Sequence, residues 1–203
     1  MRFLVRFRNV AAMQGVDATP AVIERGRRRC RAEGLADRID FTLADACDTG
    51  LPSGGFDFVW GEDAWCYVVD KSRLIAEASR LVKAGGAIAF TDWIEGPQRM
   101  TDGEAERLLR FMKFPNLQDL EGCAGLLADN HCEVLVAEDT GRFAPYVDLY
   151  LNMLRMQLNY DALRIVGFDT ARMESLAGEM EFMQELAHAG KIAQGIFVAR
   201  RRT

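Results

Sequence analysis

The stretch that decides the fold runs over residues 58–93 and reads FVWGEDAWCYVVDKSRLIAEASRLVKAGGAIAFTDW. It predicts a buried strand, a loop with acidic and aromatic residues, an amphipathic helix, a Gly-Gly turn and a second buried strand. In α/β proteins, small ligands bind beside the loops that follow the carboxyl ends of parallel strands. The stretch therefore indicates a β-α-β unit whose first loop is a candidate binding site.

The same alternation of strands and helices is present upstream. Residues 10–16 form a short apolar run that ends before Asp17, and residues 39–43 form a second strand pattern followed by Asp45. Between them, Thr19-Pro20 is typical of a helix start, because Thr is a good N-cap and Pro fits the first helical position. Strands joined by crossover helices predict a parallel sheet.

Helical patterns dominate the second half of the chain. The sequence from Thr101 to Glu104 has the pattern of a capping box, and it opens an inserted helical segment over about residues 98–130. A second helical region covers about residues 146–189, and residues 196–199 form the last strand pattern. Since no repeat or low-complexity linker divides the sequence, we expect a single domain over residues 1–203.

Composition excludes several classes of protein. The 203 residues are 49% hydrophobic and 27% charged, which is typical of a globular chain, and the net charge of −5 argues against a nucleic-acid surface. No apolar run reaches the ~18 residues of a membrane span, and no signal peptide is recognisable. The five cysteines form no CxxC pair and no zinc spacing, so no metal site is expected. Reduced thiols in a cytoplasmic protein are the simplest account.

Two carboxylates follow neighbouring strands. Asp17 could accept both hydroxyls of a ribose, because its two oxygens suit a vicinal diol, and Asp45 could accept a hydrogen bond from an adenine amino group. Each residue also has a local alternative. Asp17 could be a helix-entry residue, and Asp45 could cap a turn before Thr49. Their occurrence together, separated by one helix and one strand, favours the ligand-binding interpretation.

Several further segments share the pattern of one family. They are the loop 61–67, the Lys83-Ala84-Gly85-Gly86 turn, the strand end 90–93, the helix 109–114 and the closing strand 195–198. With Asp17 and Asp45, they resemble the class I S-adenosylmethionine-dependent methyltransferases. Within that superfamily the chain is most similar to the sarcosine/dimethylglycine N-methyltransferases, with the phosphoethanolamine methyltransferases as cousins. The resemblance spans nearly all of the chain.

This resemblance implies a fold and a cofactor site. The fold would be a Rossmann-like α/β fold with a mostly parallel sheet and an antiparallel final strand, and the cofactor would be S-adenosylmethionine. Asp17 would hold the ribose, with Ala18 beside it in the same site. Asp45 and the backbone of Ala46 would face the adenine, and Gly61 would lie beside the methionine portion.

The resemblance also implies an acceptor site for a small-molecule amine that is methylated by direct displacement. Asp63 would face the amine, and Trp65, Tyr67 and Trp93 would wall the methyl-transfer chamber, where aromatic faces attract a cation. Asp63 and Tyr67 are thus the expected catalytic residues, and Trp65 and Trp93 the expected substrate-binding residues. Core packing is the alternative for both tryptophans. Capping of the following turn is the alternative for Asp63.

Two departures from the family pattern narrow these expectations. Tyr67 stands where the related families have a histidine, which puts a histidine-dependent acid–base step in doubt. Leu108, Met112 and Phe114 stand where the phosphobase enzymes hold a phosphate with tyrosine and arginine. A phosphorylated substrate is therefore disfavoured, and the chamber is expected to be apolar.

One part of the family pattern does not occur in this sequence, namely a glycine-rich loop of the form Asp-x-Gly-x-Gly-x-Gly. In the family this loop follows the central strand and lets the backbone approach the cofactor. The first strand and the glycine loop are therefore expected to be missing, with truncation as the favoured explanation. Two strands would then face a gap ~10 Å wide or pair directly. A second subunit in a homo-oligomer could also complete the sheet.

Three alternatives to an amine N-methyltransferase stay open. A truncated or non-catalytic protein with this fold would not bind the cofactor. A small-molecule O- or C-methyltransferase would share the same skeleton. A nicotinamide-dependent oxidoreductase would need a glycine fingerprint about 20 residues before the ribose acid. That stretch is missing here, and the loop 61–67 fits an oxidoreductase poorly.

Overall fold

The computed structural model describes residues 1–156, 164, 167 and 169–203. The helices within them are α1 (Arg2–Phe7), α2 (Pro20–Ala32), α3 (Lys71–Leu81), α4 (Asp102–Met112), α5 (Leu120–Asp129), α6 (Phe143–Met156) and α7 (Thr170–His188). The strands are β1 (Met13–Asp17), β2 (Ile39–Leu43), β3 (Phe56–Glu62), β4 (Val82–Glu95), β5 (Cys132–Asp139) and β6 (Ile192–Arg201). A 3-10 turn covers Trp65–Tyr67.

The strands form two sheets. β1 and β2 make a parallel pair, and the second sheet has the strand order β3-β4-β6-β5. In that second sheet β3 and β4 are parallel, whereas β6 runs antiparallel to both β4 and β5. The expected α/β fold, with parallel crossovers and an antiparallel final strand, is thereby confirmed.

The two sheets are not joined by strand pairing. In the part of the chain that the structure describes, no ladder links β1 to β3, so the outer edges of both strands are unpaired and direct pairing does not occur. One expectation is wrong here, because β3 was expected to be buried. Phe58 and Trp60 are 50% and 43% exposed. Their exposure follows from the position of β3 at a sheet edge, where no neighbouring strand helps to cover it.

Three clusters of buried apolar side chains stabilise these elements. The first packs α3 and α5 against β4 and β6, the second joins α4, α6 and α7, and the third lies between the smaller sheet, α1 and α2. Their most deeply buried members are Ile88, Leu127 and Phe197 in the first, Leu108, Leu186 and Ile192 in the second, and Val5, Cys30 and Ile39 in the third. Burial of this apolar surface is the main source of stability.

A buried polar link ties the segment after β2 to the larger sheet. Thr49 donates to Oε1 of Glu77, on α3, through its backbone N–H (2.9 Å) and its hydroxyl (2.5 Å). Arg80 completes the link through an ion pair with Oε2 of Glu77 (2.7 Å). The hydrogen bond from Arg80 and those from Thr49 lower the pKa of Glu77 to about 2, so its carboxylate is charged at neutral pH.

Most element boundaries follow the sequence signals. The capping box of α4 is present, because Thr101 and Glu104 each accept from the other's backbone N–H. α2 begins at Pro20 as expected, although the Thr19 side chain makes no capping hydrogen bond. α3 ends at Leu81, before the Gly-Gly turn that was expected to end it. That turn lies within β4, which is longer than the sequence pattern indicates.

Four helices lie in the second half of the described chain. α4 and α5 lie between residues 98 and 130, and α6 and α7 lie between residues 143 and 188. Residues 157–163, 165, 166 and 168 of that region lie outside the described residues. Gly178 lies inside α7. Among the helices that the structure describes, none has the length and apolar character needed to cross a membrane.

Candidate active site

The carboxyl ends of the strands carry the predicted site residues. β1 ends at Asp17, whose partner in the parallel register of the smaller sheet is Leu43, the last residue of β2. The backbone N–H of Ala44 donates to the carbonyl of Asp17 (3.2 Å). Asp17 and Asp45 therefore lie at the same edge of the smaller sheet, as their spacing predicts.

Both carboxylates make the local contacts that their alternative interpretations predict. Oδ1 of Asp17 accepts from the backbone N–H of Thr19 (2.8 Å), and Oδ1 of Asp45 accepts from the backbone N–H of Cys47 (2.8 Å). A carboxylate can accept several hydrogen bonds, so these contacts are compatible with ligand binding. The two acids are therefore turn residues and candidate ligand contacts at once.

Gly61 and Trp65 are in direct contact in the loop after β3. A Cβ atom at position 61 would collide with the Trp65 indole, so the close approach requires glycine. The indole stacks on Phe90, with ring centroids 4.1 Å apart, and Phe90 stacks on Phe197 at 4.6 Å. Trp65 is therefore partly a packing residue, as its alternative interpretation predicts.

Tyr67 and Trp93 both contact the ring of Phe114. The Phe114 ring lies 5.0 Å from the Tyr67 ring and 5.4 Å from the Trp93 ring, and Phe143 of α6 lies 4.5 Å from Trp93. We call Tyr67, Trp93, Phe114 and Phe143 the aromatic wall. Tyr67 is 54% exposed, so this wall has a solvent-facing side. Phe143 had no distinguishing sequence signal, because it belongs to a helix far along the chain.

Asp63 is held by a residue that the sequence did not indicate. Its carboxylate oxygens accept from Nε2 of Gln194, on β6, at 2.9 and 2.8 Å. Oε1 of Gln194 lies 3.2 Å from Oγ1 of Thr140. The contact between Asp63 and Gln194 spans 131 positions of chain, so no local pattern could have revealed it. Asp63 and the aromatic wall thus lie on the larger sheet and its helices.

A second acid, Asp92, lies beneath the 3-10 turn. It is 4% exposed, and its Oδ1 accepts from the backbone N–H of Cys66 (3.0 Å). Burial raises the pKa of Asp92 to about 6. Lys71 binds the other side of the turn, because its Nζ donates to the carbonyls of Cys66 (3.2 Å) and Val68 (2.5 Å). Asp92 and Lys71 therefore fix the loop that carries the predicted acceptor residues.

The residues at these strand ends suit some parts of an S-adenosylmethionine molecule and not others. Carboxylates suited to a ribose and an adenine are present at Asp17 and Asp45, at the carboxyl edge of the smaller sheet. The Gly61 loop lies at the carboxyl end of β3, in the larger sheet. The sequence offers no glycine-rich cradle for the methionine carboxylate. The residues present therefore offer candidate acceptors for the hydrogen bonds of an adenosine, and the cofactor site stays a prediction.

Comparison with known proteins finds methyltransferases of similar sequence. Residues 2–90 match the family model described as a methyltransferase domain. The chain is 35% identical over 183 residues to the sarcosine/dimethylglycine N-methyltransferase of Halorhodospira halochloris, an alignment that covers 88% of this chain and 63% of that protein. It is 30% identical over 83 residues to a probable tocopherol O-methyltransferase of Oryza sativa, which covers 41% of this chain and 23% of that protein. The chain thus spans less than two thirds of these relatives.

Solved structures show the same fold. A Galdieria sulphuraria protein that is provisionally called a sarcosine dimethylglycine methyltransferase has a TM-score of 0.86 at 21% identity, covering 99% of this chain and 73% of that one. The geranyl diphosphate C-methyltransferase of Streptomyces coelicolor, solved with S-adenosyl-L-homocysteine, has a TM-score of 0.78 at 19% identity, covering 98% and 67%.

Residues 2–90 therefore match the methyltransferase domain family, and the described chain has the fold of solved class I methyltransferases. Within this class it resembles the sarcosine/dimethylglycine N-methyltransferases, and a phosphoethanolamine N-methyltransferase of Arabidopsis thaliana is a more distant relative at 21% identity over 175 residues, which covers 84% of this chain and 34% of that protein.

Proposed function

We propose that this chain carries the acceptor site and the adenosine contacts of an S-adenosylmethionine-dependent N-methyltransferase for a small amine similar to sarcosine or dimethylglycine. The observation that carries the proposal is the placement of Asp63, held by Gln194, on the sheet that also carries Trp93 of the aromatic wall. A carboxylate beside aromatic faces suits a cationic nitrogen. The 35% identity to a sarcosine/dimethylglycine enzyme over most of the chain supports the same acceptor class.

The cofactor contacts are proposed on the strand ends. Asp17 and Ala18 receive the ribose, and Asp45 with the backbone of Ala46 receives the adenine. Gly61 lies beside the methionine portion, since only glycine allows the backbone this close to the packed Trp65 ring. When bound, S-adenosylmethionine supplies a methyl group activated by a sulfonium.

S-adenosylmethionine, held by Asp17, Asp45 and Gly61, would supply its methyl group to the acceptor nitrogen by direct displacement and leave as S-adenosylhomocysteine, once that nitrogen has given its proton to solvent and exposed its lone pair. The protein's task is to hold the nitrogen in line with the methyl group. Asp63 attracts the amine, and the side chains of Trp65 and Trp93 line the space that the amine occupies. The Tyr67 phenol is protonated at neutral pH, since its ordinary pKa is about 10 and partial burial raises that pKa further, and its hydroxyl orients the amine.

A small-molecule O- or C-methyltransferase is the second candidate. It is favoured by the apolar side chains of Leu108, Met112 and Phe114 near the proposed chamber and by relatives that methylate oxygen or carbon. A non-catalytic protein is favoured by the unpaired edges of β1 and β3 and by the lack of a glycine-rich loop in the sequence.

The location proposed for the protein is the cytoplasm. All five cysteines are free, which supports a reducing environment of that kind.

Calorimetric titration of the 203-residue chain with S-adenosylhomocysteine tests the proposal first. Micromolar binding is expected, and a second titration of the loaded protein compares dimethylglycine with a neutral alcohol of similar size. Binding of the amine alone would support N-methylation, and binding of the alcohol alone would favour an O-methyltransferase. A well-folded chain that binds no S-adenosylhomocysteine would contradict the proposal and leave the non-catalytic alternative.

A further inference from the structure

The Asp63 carboxylate is the end of a chain of three side chains. Gln194 Nε2 donates to both carboxylate oxygens, Oε1 of Gln194 pairs with Oγ1 of Thr140, and Oγ1 of Thr140 accepts from the backbone N–H of Arg142 (3.2 Å). Because a carboxylate only accepts, the Gln194 nitrogen must face Asp63. The Thr140 hydroxyl must then donate to the Gln194 oxygen. The direction of every bond in the chain is therefore fixed.

Asp63 is held by one backbone hydrogen bond as well as by this hydrogen-bond chain. Asp63 has φ +47°, in the left-handed region that a residue with a side chain rarely occupies, and its N–H donates to the carbonyl of Thr91 (2.9 Å). Gln194 is the partner of Trp93 in the antiparallel register of β4 and β6. Opposed residues of such a pair lie on the same face. The carboxylate is therefore held on the face that carries Trp93.

The other end of the chain leads to the aromatic wall as well. Thr140 follows β5, and its backbone N–H donates to the carbonyl of Gln194 (2.9 Å). Phe143, three residues further on, begins α6 and packs against Trp93. The same short segment therefore orients the Asp63 carboxylate and carries one ring of the wall beside it.

We propose that Gln194 and Thr140 are positioning residues that aim the Asp63 carboxylate at the cationic nitrogen of the methyl acceptor. The inference rests on the proposed function, because it takes Asp63 as the group that receives the amine. An ordered carboxylate attracts a cation and gives no comparable gain to a neutral alcohol. Gln194 of β6 and Thr140, in the segment before α6, thereby help the site to select an amine over the other classes of methyl acceptor.

The test compares two glutamines that each bind an aspartate. Gln194→Ala removes the contact to Asp63. Gln184→Ala is the matched control, because Nε2 of Gln184 donates to Asp148 (2.6 Å) between α6 and α7. With S-adenosylhomocysteine bound, Gln194→Ala should weaken dimethylglycine binding about tenfold, the effect of one charge-assisted hydrogen bond. The affinity for S-adenosylhomocysteine should not change, and Gln184→Ala should leave both affinities as they are.

Exchange of backbone hydrogens in the loop 61–67 supplies a readout that does not depend on a ligand. Gln194→Ala should speed exchange in this loop, and Gln184→Ala should not. The double variant Asp63→Asn/Gln194→Glu exchanges the amide and the carboxylate, and Thr140 can still donate to residue 194. It should restore the slow exchange without restoring dimethylglycine binding, because the negative charge has left position 63.

Together, loop exchange and dimethylglycine affinity distinguish failure of the positioning role of Gln194 from failure of the proposed function. Unchanged loop exchange in Gln194→Ala would overturn the positioning role, whatever the chain binds. Faster exchange with unchanged dimethylglycine affinity would overturn the role in amine selection. Failure of the unaltered chain to bind dimethylglycine, with faster exchange in Gln194→Ala, would contradict the proposed function and the amine role while leaving Gln194 as a residue that orders the loop.

Discussion

The buried carboxyl of Asp92 makes the stability of the fold depend on pH. Its carboxyl is buried among groups from three elements, namely Cys66 of the 3-10 turn, Lys71 of α3 and Cys123 of α5. Burial raises its pKa from about 4 to about 6. The folded state therefore binds this proton more tightly than the unfolded state does. Stability from this group is present at low pH and is lost as the pH rises from about 4 to about 6.

Asp92→Asn should remove this pH dependence. The amide oxygen can still accept from the backbone N–H of Cys66, and no buried charge forms above pH 6. Two pKa units correspond to about 3 kcal/mol, so the variant should gain up to that much stability at pH 7.5 relative to the unaltered chain. Urea unfolding at pH 4.5 and pH 7.5 measures the difference. An equal pH dependence in both proteins would show that Asp92 titrates normally.

Asp17→Ala tests the proposed ribose contact. Loss of hydrogen bonds from a carboxylate to two hydroxyls should weaken S-adenosylhomocysteine binding about tenfold or more. Asp40→Ala, which removes an exposed acid from β2, is the matched control and should have no effect on affinity. Circular dichroism would verify that both variants fold. Unchanged affinity in Asp17→Ala would leave Asp17 as a helix-entry residue only.

Local sequence patterns can indicate residues at strand ends, but they cannot indicate residues whose role depends on contacts between distant parts of the chain. Asp17, Asp45 and Asp63 follow strands, and strand ends can be located from local hydrophobic patterns. Gln194 was missed because its importance depends on strand β6 pairing with β4, a contact between distant parts of the chain. Asp92 was noted only as part of a strand end, since its burial depends on α5 packing over it.

At the scale of elements, the link between Thr49 and α3 joins parts of the fold that strand pairing leaves separate. Thr49→Val keeps the shape of the side chain and removes the hydroxyl that donates to Glu77. The loss of this buried hydrogen bond should destabilise the fold by about 1–3 kcal/mol. Thr42→Val is the control, because the Thr42 hydroxyl bonds to Gln14 within the smaller sheet. Thermal unfolding should show the larger loss in Thr49→Val.

Helix boundaries were easier to predict than strand burial. The capping box of α4 is a local signal, and the structure contains it. β3 has the same apolar residues as a buried strand, yet Phe58 and Trp60 stay half-exposed. Burial of a strand depends on its neighbours in the sheet, and that information is not contained in the strand's own residues.

At the scale of the whole molecule, the division into two sheets predicts uneven protection from hydrogen exchange. β4 and β6 have hydrogen-bonded neighbours on both sides, whereas β1 and β2 have one neighbour each. Amides of β4 and β6 should therefore exchange more slowly than those of β1 and β2. Exchange followed by mass spectrometry measures this order. Equal protection would mean that the two sheets open as one unit.

The unpaired edges also bear on assembly. An exposed strand edge can pair with another chain, and both β1 and β3 have such an edge. The expectation of a homo-oligomer stays a prediction. The inserted helical segment and the single domain over residues 1–203 likewise stay predictions about how the chain is organised.

The position of β6 has a consequence for how the protein is made. The last strand in the sequence lies between β4 and β5, so β5 reaches the sheet only through β6. During synthesis the ribosome therefore finishes β5 before the strand that it pairs with exists. The loop 61–67 is translated much earlier, yet its carboxylate at Asp63 waits for Gln194 of β6. This site can be assembled only after β6 has left the ribosome, and a message cut short before the codon for Gln194 would yield a chain without it.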